Sequence, residues 1–270
     1  MLIAVCGGTG MLGRAVVAEL VGRGHDVRVL SRSTPPRAAS GCAHHPVDLV
    51  TGVGLRDALA GVEAIVDAAN CAGTGRRAAP VLVGGTRRLL EAGAAEGVAH
   101  HVAISIVGID AVPISYYQVK LAQEGLVANG PIDWSLVRAT QFHETLDLVF
   151  TTSARCGIVP AMAFSLAPVD PRFLAGVLAD AVDTGARGRL APVAGPRPQP
   201  LRELARAWRL ARGRRALAVA LPLRCAVRRP LAAGALVPQN AIVGGTDFQA
   251  WLLQDAQEQA ALGPAAGANP

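Results

Sequence analysis

The segment Gly7-Gly8-Thr9-Gly10-Met11-Leu12-Gly13 constrains the fold of this chain more than any other. It reads as G-x-G-x-x-G from Gly8 and as G-x-x-G-x-x-G from Gly7, and its surroundings give the pattern meaning. The apolar run Leu2–Cys6 leads straight into it; Leu12, Val16 and Leu20 then recur at four-residue steps before Gly22 and Gly24. A strand, a glycine turn and an amphipathic helix in that order make a dinucleotide-binding turn. Residues without Cβ atoms let the backbone turn tightly and approach a pyrophosphate, whose charge meets the helix N-terminus. Gly13 lets helix and strand pack closely. Gly7, Thr9, Gly10, Met11, Leu12 and Gly13 are therefore the first expected cofactor residues.

The alternation continues beyond this unit. Val27–Leu30, broken only by Arg28, is a second strand, and Leu55 and Leu59 lead to the buried-type run Ala64–Ala69. Val83–Ala95 reads as a helix, Val102–Val107 as a strand, Tyr116–Ala128 as a helix and Trp134–Ala139 as a further strand. Strands separated by helices of about 10–15 residues specify an α/β fold, a Rossmann-like doubly wound parallel sheet with right-handed crossovers. Past about residue 145 the rhythm changes. Asp170 reads as an N-cap and Pro171 as the first residue of a helix that opens the amphipathic stretch Phe173–Val182. Arg189–Val193 is an expected strand, and the proline-rich Gly195–Pro200 a loop. The expected division is a cofactor-binding Rossmann domain over 1–145 and a small C-terminal substrate-binding cap over 146–262 packed on it. A frayed tail over 263–270 follows.

Composition removes several classes of function. Apolar residues make up 51% of the chain and charged ones 17%, enough for a large core and too apolar for disorder. No run of about 18 apolar residues exists to span a membrane. Met1–Cys6 runs into glycines without a basic leader, and five scattered cysteines lack C-x-x-C spacing, so a reduced, cytoplasmic protein is expected. The net charge of +6 comes almost wholly from arginine, since Lys120 is the sole lysine among 26 basic residues. Nine arginines fall between Arg202 and Arg229, where Leu201, Leu204 and Trp208 share a helix face. This reads as a solvated amphipathic helix, and no nucleic-acid partner is expected. His44-His45 and His100-His101 lack a carboxylate or thiolate at ligand spacing, so no metal is expected either.

The chemistry-bearing residues follow the strand ends. After the second strand stands Leu30-Ser31-Arg32-Ser33, with no acid to accept from a ribose 2′-hydroxyl. Arg32 can pair a 2′-phosphate and stack on adenine, which favours NADP(H), with Ser31 beside it. Asp48-Leu49 is a candidate for the adenine edge, or equally a turn aspartate. Ala68, Ala69 and Asn70 close the third run and complete the expected cofactor set. In Tyr116-Tyr117-Gln118-Val119-Lys120, positions 116 and 120 share one helix face. A cation there favours phenolate and lowers the tyrosine pKa, and the same lysine can reach ribose hydroxyls. With one lysine and two tyrosines, chance would place a lysine four after a tyrosine about twice in 270 placements. Gln141, Phe142 and His143 follow the Trp134–Ala139 strand, where a doubly wound fold places substrate. His143 could orient a polar group, act as a second acid, or simply cap a loop.

Gly7-x-x-Gly10-x-x-Gly13, the Tyr116/Lys120 pair and the strand-end Ser105 together resemble the short-chain dehydrogenase/reductase superfamily. Ile104-Ser105-Ile106-Val107-Gly108 and Val137-Arg138-Ala139-Thr140-Gln141-Phe142 are similar to its atypical, NmrA-like branch. The resemblance implies a Rossmann fold, NADP(H), and Tyr116 as proton donor with Lys120 and Ser105 in support. Asn70-Cys71-Ala72-Gly73 is loosely similar to the superfamily's N-N-A-G turn. Ser105 precedes Tyr116 by only 11 residues, closer than the superfamily's usual spacing. The expected function is NADP(H)-dependent reduction of a carbonyl or quinone-like molecule. Phe142, Phe150, Met162, Phe164 and Phe248 suit an apolar, aromatic type of substrate better than a nucleotide sugar, while each taken alone reads first as a core-packing residue. Two alternatives stand beside it: a non-catalytic NADP(H)-binding sensor, and an epimerase or dehydratase of the same superfamily.

Overall fold

The computed structural model describes residues 1–32, 42–71 and 73–261; the expected tail over 263–270 lies outside them. The glycine segment joins β1 (Leu2–Cys6) to α1 (Met11–Gly22). In chain order follow β2 (Asp26–Ser31), β3 (Cys42–Pro46), α2 (Leu55–Leu59), β4 (Ala64–Asp67) and α3 (Gly75–Ala79). A π-helical turn over Pro80–Gly85 then leads to α4 (Thr86–Ala95), β5 (His100–Ile106), α5 (Ser115–Ala128) and β6 (Asp133–Ala139). β1 and β4 are covered on both faces, so they appear in the sequence as apolar runs. These strands pair in parallel in the order β3-β2-β1-β4-β5-β6, with Val5 between Val29 and Val66. The order reverses between β1 and β4, and a crevice must open beyond the strand ends at that point.

The second half of the chain contributes to two layers. It forms α6 (His143–Ala154), β7 (Ile158–Pro160), β8 (Ser165–Leu166), α7 (Pro171–Thr184), β9 (Gly188–Arg189) and β10 (Val193–Ala194). β11 (Gln199–Pro200), α8 (Leu201–Ala211), β12 (Leu217–Val219), α9 (Cys225–Ala232), β13 (Ile242–Val243) and α10 (Phe248–Ala261) complete it. β9 and β10 both extend the sheet beside β6, and β13 pairs with β10. The single strand expected over Arg189–Val193 is thus two short ones, because Pro192 lacks the N–H a continuous ladder needs. α7 opens as read: the Asp170 carboxylate accepts from the Arg172 backbone N–H at 2.9 Å, and Pro171 leads the helix. Its Leu174, Leu178 and Val182 share a core with Val16 and Leu20 of α1. Arg23 ties the two helices with bonds of 2.7 Å to Asp180 and 2.8 Å to Asp183.

A second apolar core gathers around the later helices. Phe150 of α6, Trp208 of α8, and Phe248 and Trp251 of α10 pack there with Ile109 and Val112 from the β5–α5 connection. The arginine-rich helix behaves as its pattern says: Leu201, Leu204 and Trp208 are buried while Arg202 and Arg206 face solvent. No helix among the described residues is long and apolar enough to cross a membrane.

Candidate active site

A cleft of about 740 Å³ opens at the C-terminal ends of β1, β2, β4, β5 and β6. Its floor is the glycine turn. Gly7 adopts φ +72°, and a Cβ on it would lie 2.8 Å from the Ala69 Cα. A Cβ on Gly13 would lie 2.1 Å from the Gly7 carbonyl oxygen, so α1 packs on the turn only because Gly13 has none. The Gly10 N–H donates to the Gly7 carbonyl at 2.8 Å and closes the turn. No side chain among the described residues caps α1, its first turn carries no acid, and its first helical bond runs from the Arg14 N–H to the Gly10 carbonyl. The N–H groups of Met11, Leu12 and Gly13 therefore have no acceptor within the helix, at its positive end. A close backbone cradle with free donors fits the pyrophosphate of a dinucleotide.

Of the residues expected to bind the cofactor, Gly7, Thr9, Gly10, Met11, Leu12, Ser31, Arg32, Asp48, Leu49, Ala68, Ala69, Asn70 and Lys120 all line this cleft. Gly13 lies beneath it as packing. Arg32 is exposed at the rim. The Ser31 hydroxyl is 2.8 Å from His44 Nε2. Asp48 lines the wall and also closes its own turn, its carboxylate accepting from the Val50 N–H at 2.8 Å.

Ser105, Tyr116 and Lys120 meet at the other end of the same cleft. Ser105 is buried, and its Oγ has no hydrogen-bond partner among the described residues. The Tyr116 hydroxyl donates to Asn70 Oδ1 at 2.6 Å. Lys120 Nζ donates to the Ile104 carbonyl at 2.7 Å and to Gln123 Oε1 at 2.5 Å. Gln123 in turn donates to Thr86 Oγ1 at 2.9 Å and to Asp67 Oδ2 at 3.3 Å. Asp67 also receives the Thr86 hydroxyl at 3.2 Å and the Ala69 N–H at 3.1 Å. Burial pushes Lys120 down to about 8, against the opposing pull of Asp67 and Glu124.

The expectation that Lys120 lowers the Tyr116 pKa does not hold. Burial, reinforced by Tyr117, pushes the phenol up to about 12 despite its bond to Asn70. The ammonium is directed into Ile104 and Gln123 instead. Tyr117, one step round the helix, also lines the cleft. Burial raises its phenol too, offset in part by the facing Gln141.

Gln141 and Phe142 lie on the cleft wall, whereas His143 does not. His143 is fully buried, with Nε2 2.8 Å from the Thr246 carbonyl oxygen and its ring 5.6 Å from Phe248 and 5.5 Å from Trp251. It begins α6 and turns inward, so it anchors that helix to α10 and is withdrawn from the substrate set. Asp67, Thr86 and Gln123 are the residues sequence reasoning missed. Asp67, a carboxylate ending an apolar strand run, carried a local signal; the other two carried none. No cluster of three or more His, Cys, Asp or Glu among the described residues is arranged to hold a metal ion.

A parallel sheet that reverses at β1/β4, with a glycine turn and a helix N-terminus in the crevice, defines a dinucleotide-binding protein. The sequence model of the NAD(P)H-binding family matches residues 7–153, and the chain belongs to that family. Comparison with curated proteins finds no match. Among solved structures it is similar to an NADPH-dependent quinone oxidoreductase from Escherichia coli, with TM-score 0.73 and 18% identity over 93% of this chain and 98% of that one. A short-chain dehydrogenase/reductase superfamily protein from Agrobacterium tumefaciens with bound NAD gives TM-score 0.73 and 20% identity, covering 96% of each chain. UDP-glucose 4-epimerase from Thermus thermophilus with NAD gives 0.70 and 18%, covering 95% of this chain and 99% of that one. These likenesses establish the fold, one shared by NAD(P)-dependent oxidoreductases and epimerases, as the resemblance read from the sequence implied.

Proposed function

We propose that the protein is an NADP(H)-dependent reductase of a carbonyl or quinone-like group on an apolar small molecule. The observation that carries this reading is the single cleft that runs from the glycine turn and Arg32 to Ser105, Tyr116 and Lys120. Arg32 stands where an NAD-preferring site would place an acid, and its guanidinium suits a 2′-phosphate. NADPH, when bound, supplies the hydride. The chain supplies the proton. A phenol pushed up to about 12 stays protonated at neutral pH, so Tyr116 is a hydrogen-bond and proton donor throughout the working range. A substrate oxygen that takes the place of Asn70 Oδ1 receives that donor as its negative charge grows. The unpaired Ser105 hydroxyl is a second donor into the same space. Lys120 spends two of its three N–H groups on Ile104 and Gln123, which leaves one for a cofactor ribose hydroxyl. Five free cysteines suit a reducing, cytoplasmic setting.

One observation favours a second reading. Because Lys120 does not activate Tyr116, a non-catalytic NADP(H)-binding protein could keep every cofactor contact described above. The epimerase or dehydratase alternative needs tightly held NAD, for which Ser31-Arg32 is a poor match. NADPH consumption against a panel of ketones and quinones separates these readings. Tyr116→Phe is expected to cut turnover by about 10²- to 10⁴-fold while leaving NADPH affinity within about twofold. NADPH binding without turnover of any panel member would establish the non-catalytic reading.

A further inference from the structure

A second cavity of about 240 Å³ adjoins the cofactor cleft, and Tyr117 and Gln141 line both. Its remaining walls are apolar: Leu146 and Phe150 of α6, Met162 and Phe164 between β7 and β8, Leu201 at the start of α8, and Leu236. No charged side chain among the described residues lines it. At its junction with the cleft, both amide atoms of Gln141, Oε1 and Nε2, are buried; the Tyr117 phenol faces the amide, but no group among the described residues meets either atom in full hydrogen-bond geometry. Buried side-chain amides are nearly always paired, so an unpaired one between two cavities points to a ligand that pairs it.

We propose that this side pocket receives the uncharged ring system of the substrate, and that the Gln141 amide hydrogen-bonds a second oxygen on that ring. The proposal rests on the reductase reading: the reacting carbonyl faces Tyr116 in the cleft while the far end of the molecule enters the side pocket. An apolar cavity of about 150 Å³ holds benzene, so this one has room for more than a single ring. The chemical class is therefore a bicyclic or alkyl-substituted ring bearing two oxygens, as in a diketone or a naphthoquinone. A nucleotide sugar is a poor occupant, because its phosphates would meet no cation here.

The probe is 2,3-dimethyl-1,4-naphthoquinone, whose substituted ring leaves no free position for thiol addition. Calorimetry on protein saturated with NADP⁺ measures binding without turnover, and 2,3-dimethylnaphthalene serves as the same ring without oxygens. Val149→Trp fills the pocket from its rim, where the valine is 43% exposed, and is expected to weaken both probes at least about tenfold. Met162→Trp fills it from a second wall with the same expected result. Gln141→Leu should weaken the quinone roughly three- to tenfold and leave the hydrocarbon unchanged or tighter. NADP⁺ affinity should stay constant in the two tryptophan variants, which lie outside the cofactor cleft. Quinone affinity within twofold of wild type in both tryptophan variants overturns the pocket, as does no measurable quinone binding to wild type. Equal losses for quinone and hydrocarbon in Gln141→Leu overturn the role of the amide. Binding as described with no NADPH oxidation would sink the reductase reading and leave the site standing. Unaltered quinone turnover in Val149→Trp and Met162→Trp would do the reverse.

Discussion

Lys120 carries its charge into a buried site, and this fixes how cofactor binding should respond to alkali. Burial favours the neutral amine, so the proton leaves near pH 8 rather than at the usual lysine value. As pH rises through that point Nζ loses its charge and one of its three donors, while the Ile104 and Gln123 acceptors remain. NADPH affinity is therefore expected to fall several-fold between pH 7 and 9 in wild type and to be low and pH-independent in Lys120→Met, as fluorescence titration would read. A flat wild-type profile would remove Lys120 from the cofactor. Arg32 stands at the opposite end of the cleft. If Arg32 pairs the 2′-phosphate as proposed, Arg32→Asp removes a charge-assisted pair worth about 1.5–3 kcal/mol, or roughly 10- to 150-fold in NADPH affinity, and offers a ribose hydroxyl acceptor to NADH. Titrating both cofactors decides it, and unchanged NADPH binding excludes Arg32 from the site. At this scale the sequence reveals what is local. Gly7–Gly13, Ser31-Arg32 and Tyr116/Lys120 are patterns within a few residues, and the structure brings them to one cleft. The Lys120–Gln123–Thr86–Asp67 chain spans three elements, so no spacing announces it. The Tyr116–Asn70 bond joins residues 46 apart and is equally silent. His143 misleads for another reason: at a strand-to-helix junction, one residue of rotation decides between cleft and core.

Among the elements, α1 is the one whose placement controls the cofactor end. Its approach to β1 depends on Gly13, where a Cβ would stand 2.1 Å from the Gly7 carbonyl oxygen, a backbone atom with no room to yield. Gly13→Ala is expected to lower stability by about 1–3 kcal/mol through overpacking, and to weaken NADPH binding as the helix N-terminus backs away from the turn. Denaturant unfolding and cofactor titration read the two effects; unchanged values for both would mean the turn relaxes freely. The long elements were legible because burial on one or two faces leaves a period in the sequence: β1, β2, β4, β5, β6, α1, α5, α7 and α8 all lie where the pattern puts them. β3 was not, since Cys42-Ala43-His44-His45-Pro46 is a half-exposed edge strand whose one partner among the described residues is β2. β9, β10 and β13 are two residues each, too short to show any period, and only tertiary contact makes them strands. The helix expected from Val83 begins as α-helix at Thr86, after the π turn that starts at Pro80 and packs Gly85 against Leu49.

At the scale of the whole molecule, buried histidines should set the acid limit of stability. Burial holds His100, His101, His143 and the half-buried His45 below the ordinary imidazole value. Each binds a proton less readily in the folded protein than in the unfolded chain, which protonates once the pH drops below about 6.5. Over that window the unfolded state binds more protons, so stability rises with pH: it is fully present above about 6.5 and drains away as the pH falls. The Asp110 carboxylate, held low by Arg138, adds stability that is lost only in more acid solution, below the ordinary carboxylate range. The first fall in melting temperature, between about pH 6.5 and 5, therefore belongs to the histidines. His101 is the sharpest case, with no exposed surface and neither ring nitrogen hydrogen-bonded among the described residues. His101→Leu keeps a similar volume and removes two unpaired polar atoms, so it should stabilise the protein by about 1–3 kcal/mol and flatten its acid limb. His100→Leu is the contrasting variant: His100 Nε2 lies 2.9 Å from the Ser135 hydroxyl, and its loss leaves that buried hydroxyl without this partner. It should also flatten the acid limb, but with no gain, or a loss, at neutral pH. Melting curves from pH 5 to 8 for wild type and both variants test the argument. An unchanged slope in His101→Leu would mean that its ring is already paired in solution.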